Sequence, residues 1–190
     1  MADLTPRTPC AGLLPFRAGD VRLTEVDAGR ITSLMPGPEQ AAALDAALRD
    51  AHGLGWPDPG RAALGEDAAV VWTGMDQAML MGPAPDATLS AHAALTDQSD
   101  AWAVVELSGE AGPAVLARLV PLDLRPQAFP VGAVARTLLG HMHAGVLRTR
   151  PATLRLLAFR SMAGTLVQEL RGAMEGVAAR HGLDGAGSSR

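Results

Sequence analysis

Short stretches of alternating apolar and polar residues recur along this chain, and glycine or proline separates them. Alternation of this kind is typical of β-strands that bury one face. Residues 68–72 and 78–81 are close enough in sequence to form a hairpin, and the last three stretches predict an antiparallel meander with turns at Gly140 and Arg150–Pro151. The predicted strands cover residues 21–26, 30–34, 68–72, 78–81, 101–107, 134–139, 144–148 and 153–158.

Helical patterns lie between these strands. Residues 39–52 are rich in alanine, place Leu44 and Leu48 on one face and are followed by Gly53, a typical helix stop. Further helices are predicted for residues 86–95, with Asp86 or Thr88 as cap, for a stretch from Pro113 to Val120, and for residues 162–179. Because helices and strands alternate in mixed order with antiparallel connections, the predicted fold class is α+β, with mainly antiparallel sheets and packed helices.

The two ends of the chain have a different composition. Residues 1–20 contain Pro6, Pro9 and Pro15 without any periodicity, and they predict an extended arm that stays outside the core. Residues 183–190 are rich in glycine and serine and predict a flexible tail. Residues 21–182 then form the α+β domain, with two adjacent lobes at about 21–96 and 97–182.

Composition and charge exclude several classes of partner. The 190 residues carry a formal net charge of -4 and no run of basic residues, so nucleic acid is not expected as a partner. The sequence has no apolar stretch approaching about 18 residues, so no membrane contact is expected. The single cysteine, Cys10, cannot form an internal disulfide, which is typical of a reducing compartment. A cytoplasmic location is therefore expected.

Two motifs have features of a ligand-binding site but lack the residues that would complete one. Residues 109–113 (GEAGP) join a strand to a helix, where N–H groups can hold phosphate, but Glu110 repels anions and no Lys-Ser/Thr follows. A structural turn is the favoured interpretation. His141 and His143 would share one face of a strand, yet two imidazoles are too few for a zinc site. Exposed strand histidines are the favoured interpretation.

The remaining candidates also favour structural roles. Asp97, Ser99 and Asp100 lie in a predicted polar turn without a nearby histidine to act as base, so capping is favoured over catalysis. Cys10 has no neighbour in sequence that would lower its pKa. The sequence therefore predicts no catalytic, cofactor-binding or metal-binding residue. Core or interface packing is the favoured role of the tryptophans and of the methionine-rich stretch, namely Trp56, Trp72, Trp102, Met75, Met79 and Met81.

Longer motifs in the middle and C-terminal parts resemble one family. Residues 97–109 (DQSDAWAVVELSG), 121–132 (PLDLRPQAFPVG) and 137–141 (TLLGH) are similar, in order and spacing, to motifs of the gamma subunit of heterotetrameric sarcosine oxidase. Residues 69–81 and 159–161 are similar to two further family motifs, although Met75–Ala78 departs from the family's Pro-Asp-Glu-Trp. The resemblance covers roughly residues 21–180. The family in turn resembles the folate-binding domain of glycine-cleavage aminomethyltransferase, which implies the same α+β fold.

The resemblance implies a role in a four-subunit complex. Such complexes demethylate sarcosine oxidatively to glycine, with hydrogen peroxide and either formaldehyde or methylene-tetrahydrofolate as products. The implied partners are the alpha, beta and delta subunits. The implied cofactors FAD, FMN, NAD, zinc and tetrahydrofolate are all expected on those partners, and none on this chain.

Two alternatives remain open at this point. The likeness to aminomethyltransferase allows a folate-binding protein of one-carbon transfer, and the same fold could also serve as a stand-alone interaction module. If the chain is a subunit, part of its 48% hydrophobic content should face partners. We therefore expect an exposed apolar patch of roughly several hundred Å².

Overall fold

The computed structural model describes the backbone of residues 6–187 and the side chains of residues 6–180. It contains eleven strands and three α-helices, in the predicted α+β class. The helices are α1 (Ala41–His52), α2 (Gly112–Leu116) and α3 (Ala163–Gly187). The strands are β1 (Phe16–Ala18), β2 (Val21–Glu25), β3 (Arg30–Pro36), β4 (Ala62–Leu64), β5 (Ala69–Gly74), β6 (Gln77–Gly82), β7 (Ala93–Asp97), β8 (Trp102–Ser108), β9 (Val134–Leu139), β10 (Met142–Arg150) and β11 (Thr153–Phe159).

The strands form two antiparallel sheets. The first, which we call the terminal sheet, has six strands in the order β1-β2-β8-β11-β10-β9. Its last three strands in sequence form the predicted meander, with Gly140 at a positive φ in the turn between β9 and β10. The second, which we call the central sheet, has five strands in the order β4-β5-β6-β3-β7. The predicted hairpin of β5 and β6 is confirmed, and Asp76 takes a left-handed conformation at its tip.

The order of strands interlocks the two sheets. β2 pairs with β8, although all of the central sheet lies between them in sequence. The backbone N–H of Val26, just after β2, donates to the carbonyl of Val104 on β8 at 2.9 Å. The predicted lobe boundary near residue 96 therefore does not coincide with the division between sheets, because β1 and β2 belong to the terminal sheet.

Three apolar clusters hold the layers together. One lies between the terminal sheet and the helices α2 and α3, and it buries the predicted α3 face of Leu166, Leu170, Met174 and Val177. A second lies between α1 and the outer face of the central sheet, where Leu44 and Leu48 meet Val70 and Leu80. The third lies between the two sheets, where Val71 and Met79 meet Val104 and Leu157. The strands of both sheets are thus covered on both faces over part of their length.

The segment before residue 21 differs from the sequence-based expectation. Residues 16–18 form β1, and Cys10 is fully buried in the cluster beneath α3, so residues 6–20 pack against the domain instead of standing away from it. Glu25 fixes this segment, because its carboxylate accepts from the backbone N–H of Cys10 at 2.8 Å and from the Thr8 hydroxyl at 2.7 Å. These are contacts of individual side chains, which leave no periodic pattern in the sequence. Residues 1–5 lie outside the described residues.

The helix predicted for residues 86–95 is wrong. Only a short 3-10 helix, Ala87–Ala91, forms there, and Asp86 caps it as expected by accepting from the Thr88 N–H at 2.9 Å. Residues 93–97 then pair with β3 as strand β7, so tertiary pairing overrides the local preference.

Two other helix boundaries also differ from the prediction. α2 ends at Leu116 and not near Val120. The N–H groups of Arg118 and Leu119 donate to carbonyls only three positions back, which turns the chain out of the α-helix. α3 continues to Gly187, within the predicted tail, and residues 188–190 lie outside the described residues. Within the part of the chain that is described, no helix is both long and apolar enough to cross a membrane.

Candidate functional site

A large concavity lies between the two sheets, at the end where β8 begins and β11 ends. It has a volume of about 660 Å³, and we call it the inter-sheet groove. The central sheet supplies Val71, Trp72 and Met79, and the terminal sheet supplies Trp102 and Leu157. Its volume lies within the range of about 300–1,000 Å³ that is usual for binding pockets. The groove continues the apolar cluster between the sheets out to the surface.

Aromatic and aliphatic side chains form the mouth of the inter-sheet groove. Trp102 and Phe159 are directly opposite each other on β8 and β11, and their rings stack with centroids 5.0 Å apart. Phe159 nevertheless remains 50% exposed, and Leu138 on β9 is 46% exposed. Both side chains line the groove. The mouth therefore presents unusually exposed apolar surface beside an opening into the interior.

The polar groups of the groove include an arginine and a buried indole N–H. Arg136 donates one guanidinium N–H to the carbonyl oxygen of Thr73 at 2.8 Å, which ties β9 to β5 across the gap between the sheets. The indole N–H of Trp102 and the hydroxyl of Thr73 are buried without a partner in the described structure. Arg136 and His143 are the ionisable side chains in the lining, which includes no carboxylate. An occupant that carries acceptor oxygens would suit this lining.

The structure places Asp97 and Ser99 in a tie between strands. The Asp97 carboxylate accepts from the backbone N–H of Ser99 at 3.0 Å and from its hydroxyl at 2.6 Å, and the same hydroxyl oxygen accepts from the Ile31 N–H. Asp97 also forms a 2.8 Å ion pair with Arg30. The bonds from Ser99, followed by the charge of Arg30, hold the pKa of Asp97 below its usual value. Asp97 is therefore an ionised structural acceptor that fastens β7 to β3.

A carboxylate of this chain already binds the turn at residues 109–113. The Asp20 carboxylate accepts from the backbone N–H of Ala111 at 3.0 Å, where a phosphate would have to bind. Gly109 has a φ of +131°, and a Cβ at this position would lie 2.5 Å from the Asp20 carbonyl oxygen. The close approach of the two segments explains the glycine, and the geometry favours the structural interpretation of this turn.

The two histidines of the HMH motif do not share a strand face. His141 lies in the turn after β9, whereas His143 lies on β10 and lines the inter-sheet groove. Both side chains are exposed. Within the part of the chain that the structure describes, no group of three or more His, Cys, Asp or Glu side chains is placed to hold a metal ion.

Cys10 is held as a neutral thiol. Burial raises its pKa to about 11, and the charge of Glu25 and a hydrogen bond with that carboxylate act in the same direction. Because the thiolate is the reactive form, the buried side chain is poorly suited to nucleophilic chemistry.

The tryptophans and methionines divide between core and surface. Trp56 packs beside α1, Trp72 and Trp102 pack at the inter-sheet cluster, and Met79 and Met81 are buried in it. Met75, in contrast, is almost fully exposed at the tip of the β5–β6 hairpin.

A buried arginine explains the motif at residues 121–132. Arg148 is only 1% exposed, and its guanidinium donates to the carbonyl oxygens of Phe129 and Leu124, each at 2.6 Å, and to that of Pro151. Leu124 and Phe129 are themselves buried in the cluster beneath α3. The sequence analysis did not identify this contact. Its signal was the alternation of β10, which places position 148 on the same inward face as Ala144 and Val146.

The fold places the chain in a class of proteins. Its fold is that of the aminomethyltransferase T of the glycine cleavage system from Bartonella henselae, with a TM-score of 0.54 at 17% identity over 79% of this chain and 45% of that chain. Within that class the similarity is more specific to a chain of the heterotetrameric sarcosine oxidase from Corynebacterium sp. U-96, solved in complex with pyrrole 2-carboxylate. The TM-score is 0.78 at 30% identity, over 91% of this chain and 96% of that chain.

Curated relatives agree with the structural comparison. The chain is 37% identical over 115 residues to the sarcosine oxidase subunit gamma of Corynebacterium sp. (strain P-1), and 34% identical over 125 residues to that of Arthrobacter sp.. These matches cover 55% and 60% of this chain and span 56% and 60% of the relatives. No family model matches the chain. The chain belongs to the family of sarcosine oxidase gamma subunits, as its motifs indicated.

Proposed function

We propose that this chain is the gamma subunit of a heterotetrameric sarcosine oxidase and that it supports the complex without supplying an active site. The observation that carries the proposal is the similarity, over 91% of the chain, to a chain of a solved heterotetrameric sarcosine oxidase. The proposed partners are the alpha, beta and delta subunits. The proposed reaction of the complex converts sarcosine to glycine, with hydrogen peroxide and formaldehyde or methylene-tetrahydrofolate as further products.

Three side chains of types that often act in catalysis are engaged in holding the fold. Asp97 fastens two strands, Asp20 caps α2, and burial keeps Cys10 protonated. These roles support a structural function for the chain. We accordingly assign FAD, FMN, NAD, zinc and tetrahydrofolate to the partner subunits and derive no catalytic step through them.

Co-expression tests the proposal directly. The chain carrying an affinity tag would be expressed with the alpha, beta and delta subunits, and the purified material would be analysed for stoichiometry and for sarcosine-dependent hydrogen peroxide production. We expect a complex with one copy of each subunit and oxidase activity. A tagged chain that purifies alone, beside an active assembly of the other three subunits, would contradict the proposal and favour a stand-alone interaction module.

Folate binding is the second candidate, and the inter-sheet groove is the observation that favours it. Its volume of about 660 Å³ is sufficient for a small-molecule ligand. Titration of the isolated chain with tetrahydrofolate in a calorimeter would then give saturable heat. The candidate is eliminated if no heat is released with a chain that is shown to be folded by circular dichroism.

A further inference from the structure

The mouth of the inter-sheet groove combines apolar side chains with a partly open sheet edge. Leu138 and Phe159 are two of the six large hydrophobic side chains that are exposed among the described residues, and both line this groove. Leu138 lies on β9, the edge strand of the terminal sheet. On one side β9 pairs with β10, and on the other its first residue, Val134, donates its N–H to the Gly60 carbonyl at 2.8 Å, so that the edge is open only beyond Val134. An edge strand presents backbone N–H and C=O groups that can pair with another extended segment. The same rim therefore offers both apolar surface and backbone hydrogen-bonding groups.

The electrostatic character of the groove restricts what it can accept. Among the described side chains, Arg136 and His143 are its ionisable lining groups, no carboxylate is part of the lining, and the buried Trp102 N–H lacks an acceptor. Arg136 uses one nitrogen for the Thr73 carbonyl, while its side chain stays exposed at the rim. A carboxylate next to an apolar group would complement these donors. A second cation at this position would be repelled.

The exposed side chains at the rim, Leu138 and Phe159, favour a protein segment over a small ligand as the occupant of the groove. A ligand contained between the sheets would leave Leu138 and Phe159 in water and the part of the β9 edge beyond Val134 unpaired. An extended peptide along β9 would cover both side chains, pair with the edge and direct one large side chain into the groove, as in strand-addition complexes. A groove volume of about 660 Å³ leaves ample room for an aromatic side chain.

We propose that the inter-sheet groove and the β9 edge form the docking surface for an extended segment of a companion subunit. The segment carries a large aromatic or aliphatic anchor for the groove, next to an aspartate or glutamate that meets Arg136. This inference rests on the proposed function, because it presumes the companion subunits.

The test uses full-length chains in the four-subunit co-expression. Leu138→Asp and Phe159→Asp place an acid on the rim, and Arg136→Glu reverses its charge. Met35→Asp is the matched control, because Met35 is 51% exposed, similar to both rim residues, but lies on β3 outside the groove lining. Each variant would first be checked by thermal unfolding of the isolated chain. We expect the rim variants to reduce the recovered complex at least tenfold, and Met35→Asp to leave it within twofold of the unsubstituted chain.

The outcomes separate this inference from the proposed function. If the unsubstituted chain does not join the companions, the proposed function fails and the docking surface fails with it. If the unsubstituted chain assembles and the rim variants assemble equally well, the docking surface alone is wrong. If Met35→Asp reduces the recovered complex as much as the rim variants do, the docking surface is also contradicted, since the effect would not be specific to the rim. If the rim variants assemble normally but lose tetrahydrofolate binding, the groove is a ligand site and the docking surface is wrong.

A photo-crosslinker identifies the segment. Benzoylphenylalanine at position 138 should link to a companion subunit, and peptide mapping should place an acidic residue next to an apolar anchor in the linked stretch. The same crosslinker at position 35 is the control. A link from position 138 to a helix, or to a stretch without carboxylates, would overturn the proposed chemistry of the partner.

Discussion

Replacing Arg148 should destabilise the fold more than any change of an exposed arginine. In Arg148→Met the guanidinium disappears while most of the side-chain volume remains, so the carbonyl oxygens of Leu124 and Phe129 lose their donor. A buried acceptor without a partner costs about 1–3 kcal/mol, so these two carbonyls give roughly 2–6 kcal/mol. For a chain of this size each kcal/mol lowers Tm by about 2–4 °C, which predicts a decrease of roughly 4–24 °C.

The assay is urea and thermal unfolding of the purified chain, followed by circular dichroism. Arg150→Met is the matched control on the same strand: its side chain is 73% exposed and its nearest carboxylate, on Glu106, is 3.9 Å away. Such a surface pair contributes at most about 1 kcal/mol. The stability of Arg148→Lys should lie between those of Arg148→Met and Arg150→Met, because one compact ammonium cannot reproduce the planar arrangement of donors. If Arg148→Met unfolds at the same urea concentration as Arg150→Met, Arg148 does not hold the loop and the reasoning is refuted.

Three further predictions concern Gly109 and Cys10. Gly109→Ala should lower the free energy of unfolding in urea by about 1–3 kcal/mol, because the new Cβ would lie 2.5 Å from the Asp20 carbonyl oxygen. Gly140→Ala is the control and should cost less, because its new Cβ would meet no atom within 4 Å. Equal losses of stability in the two variants would contradict this. The Cys10 thiol should react with a disulfide reagent at pH 8 only after unfolding, and rapid labelling of the folded chain would argue against its burial. Folding raises the pKa of Cys10 from 9.0 to about 11, so the stability that the neutral thiol contributes is complete below pH 9 and is lost as the pH rises from 9 to 11. The free energy of unfolding, measured across that range, should show this decrease in the unsubstituted chain and lack it in Cys10→Ala.

Local sequence patterns were sufficient for much of the fold. The meander of β9, β10 and β11 alternates clearly, and α1 has both an apolar face and a glycine stop, so the ends of these elements were predicted to within two residues. β7 was not, because residues 93–97 have no strand pattern of their own and become a strand by pairing with β3. The docking of residues 6–20 depends on contacts with Glu25, which no local pattern encodes.

The candidate site was harder to predict than the fold. Asp97 and Ser99 were expected to act as caps because their spacing is that of a local turn, and Asp97 accepts from both the N–H and the hydroxyl of Ser99. The inter-sheet groove was not predicted, because it exists only where β8 and β11 of one sheet face β5 and β6 of the other. A weak signal was present in β8, whose apolar residues occupy both faces of the strand and indicate packing on two sides.

The pairing of β2 with β8 has a consequence for how this chain is made. During synthesis β1 and β2 leave the ribosome first, but β2 can complete its place in the terminal sheet only after the whole central sheet has followed. The central sheet is contiguous in sequence, so it can form while the β1–β2 hairpin still waits for β8. Closing so long a connection carries an entropic penalty, and formation of the central sheet shortens the effective loop. The inter-sheet groove, which needs both sheets, is therefore completed last, so a partner that recognises it would bind only chains that have finished folding.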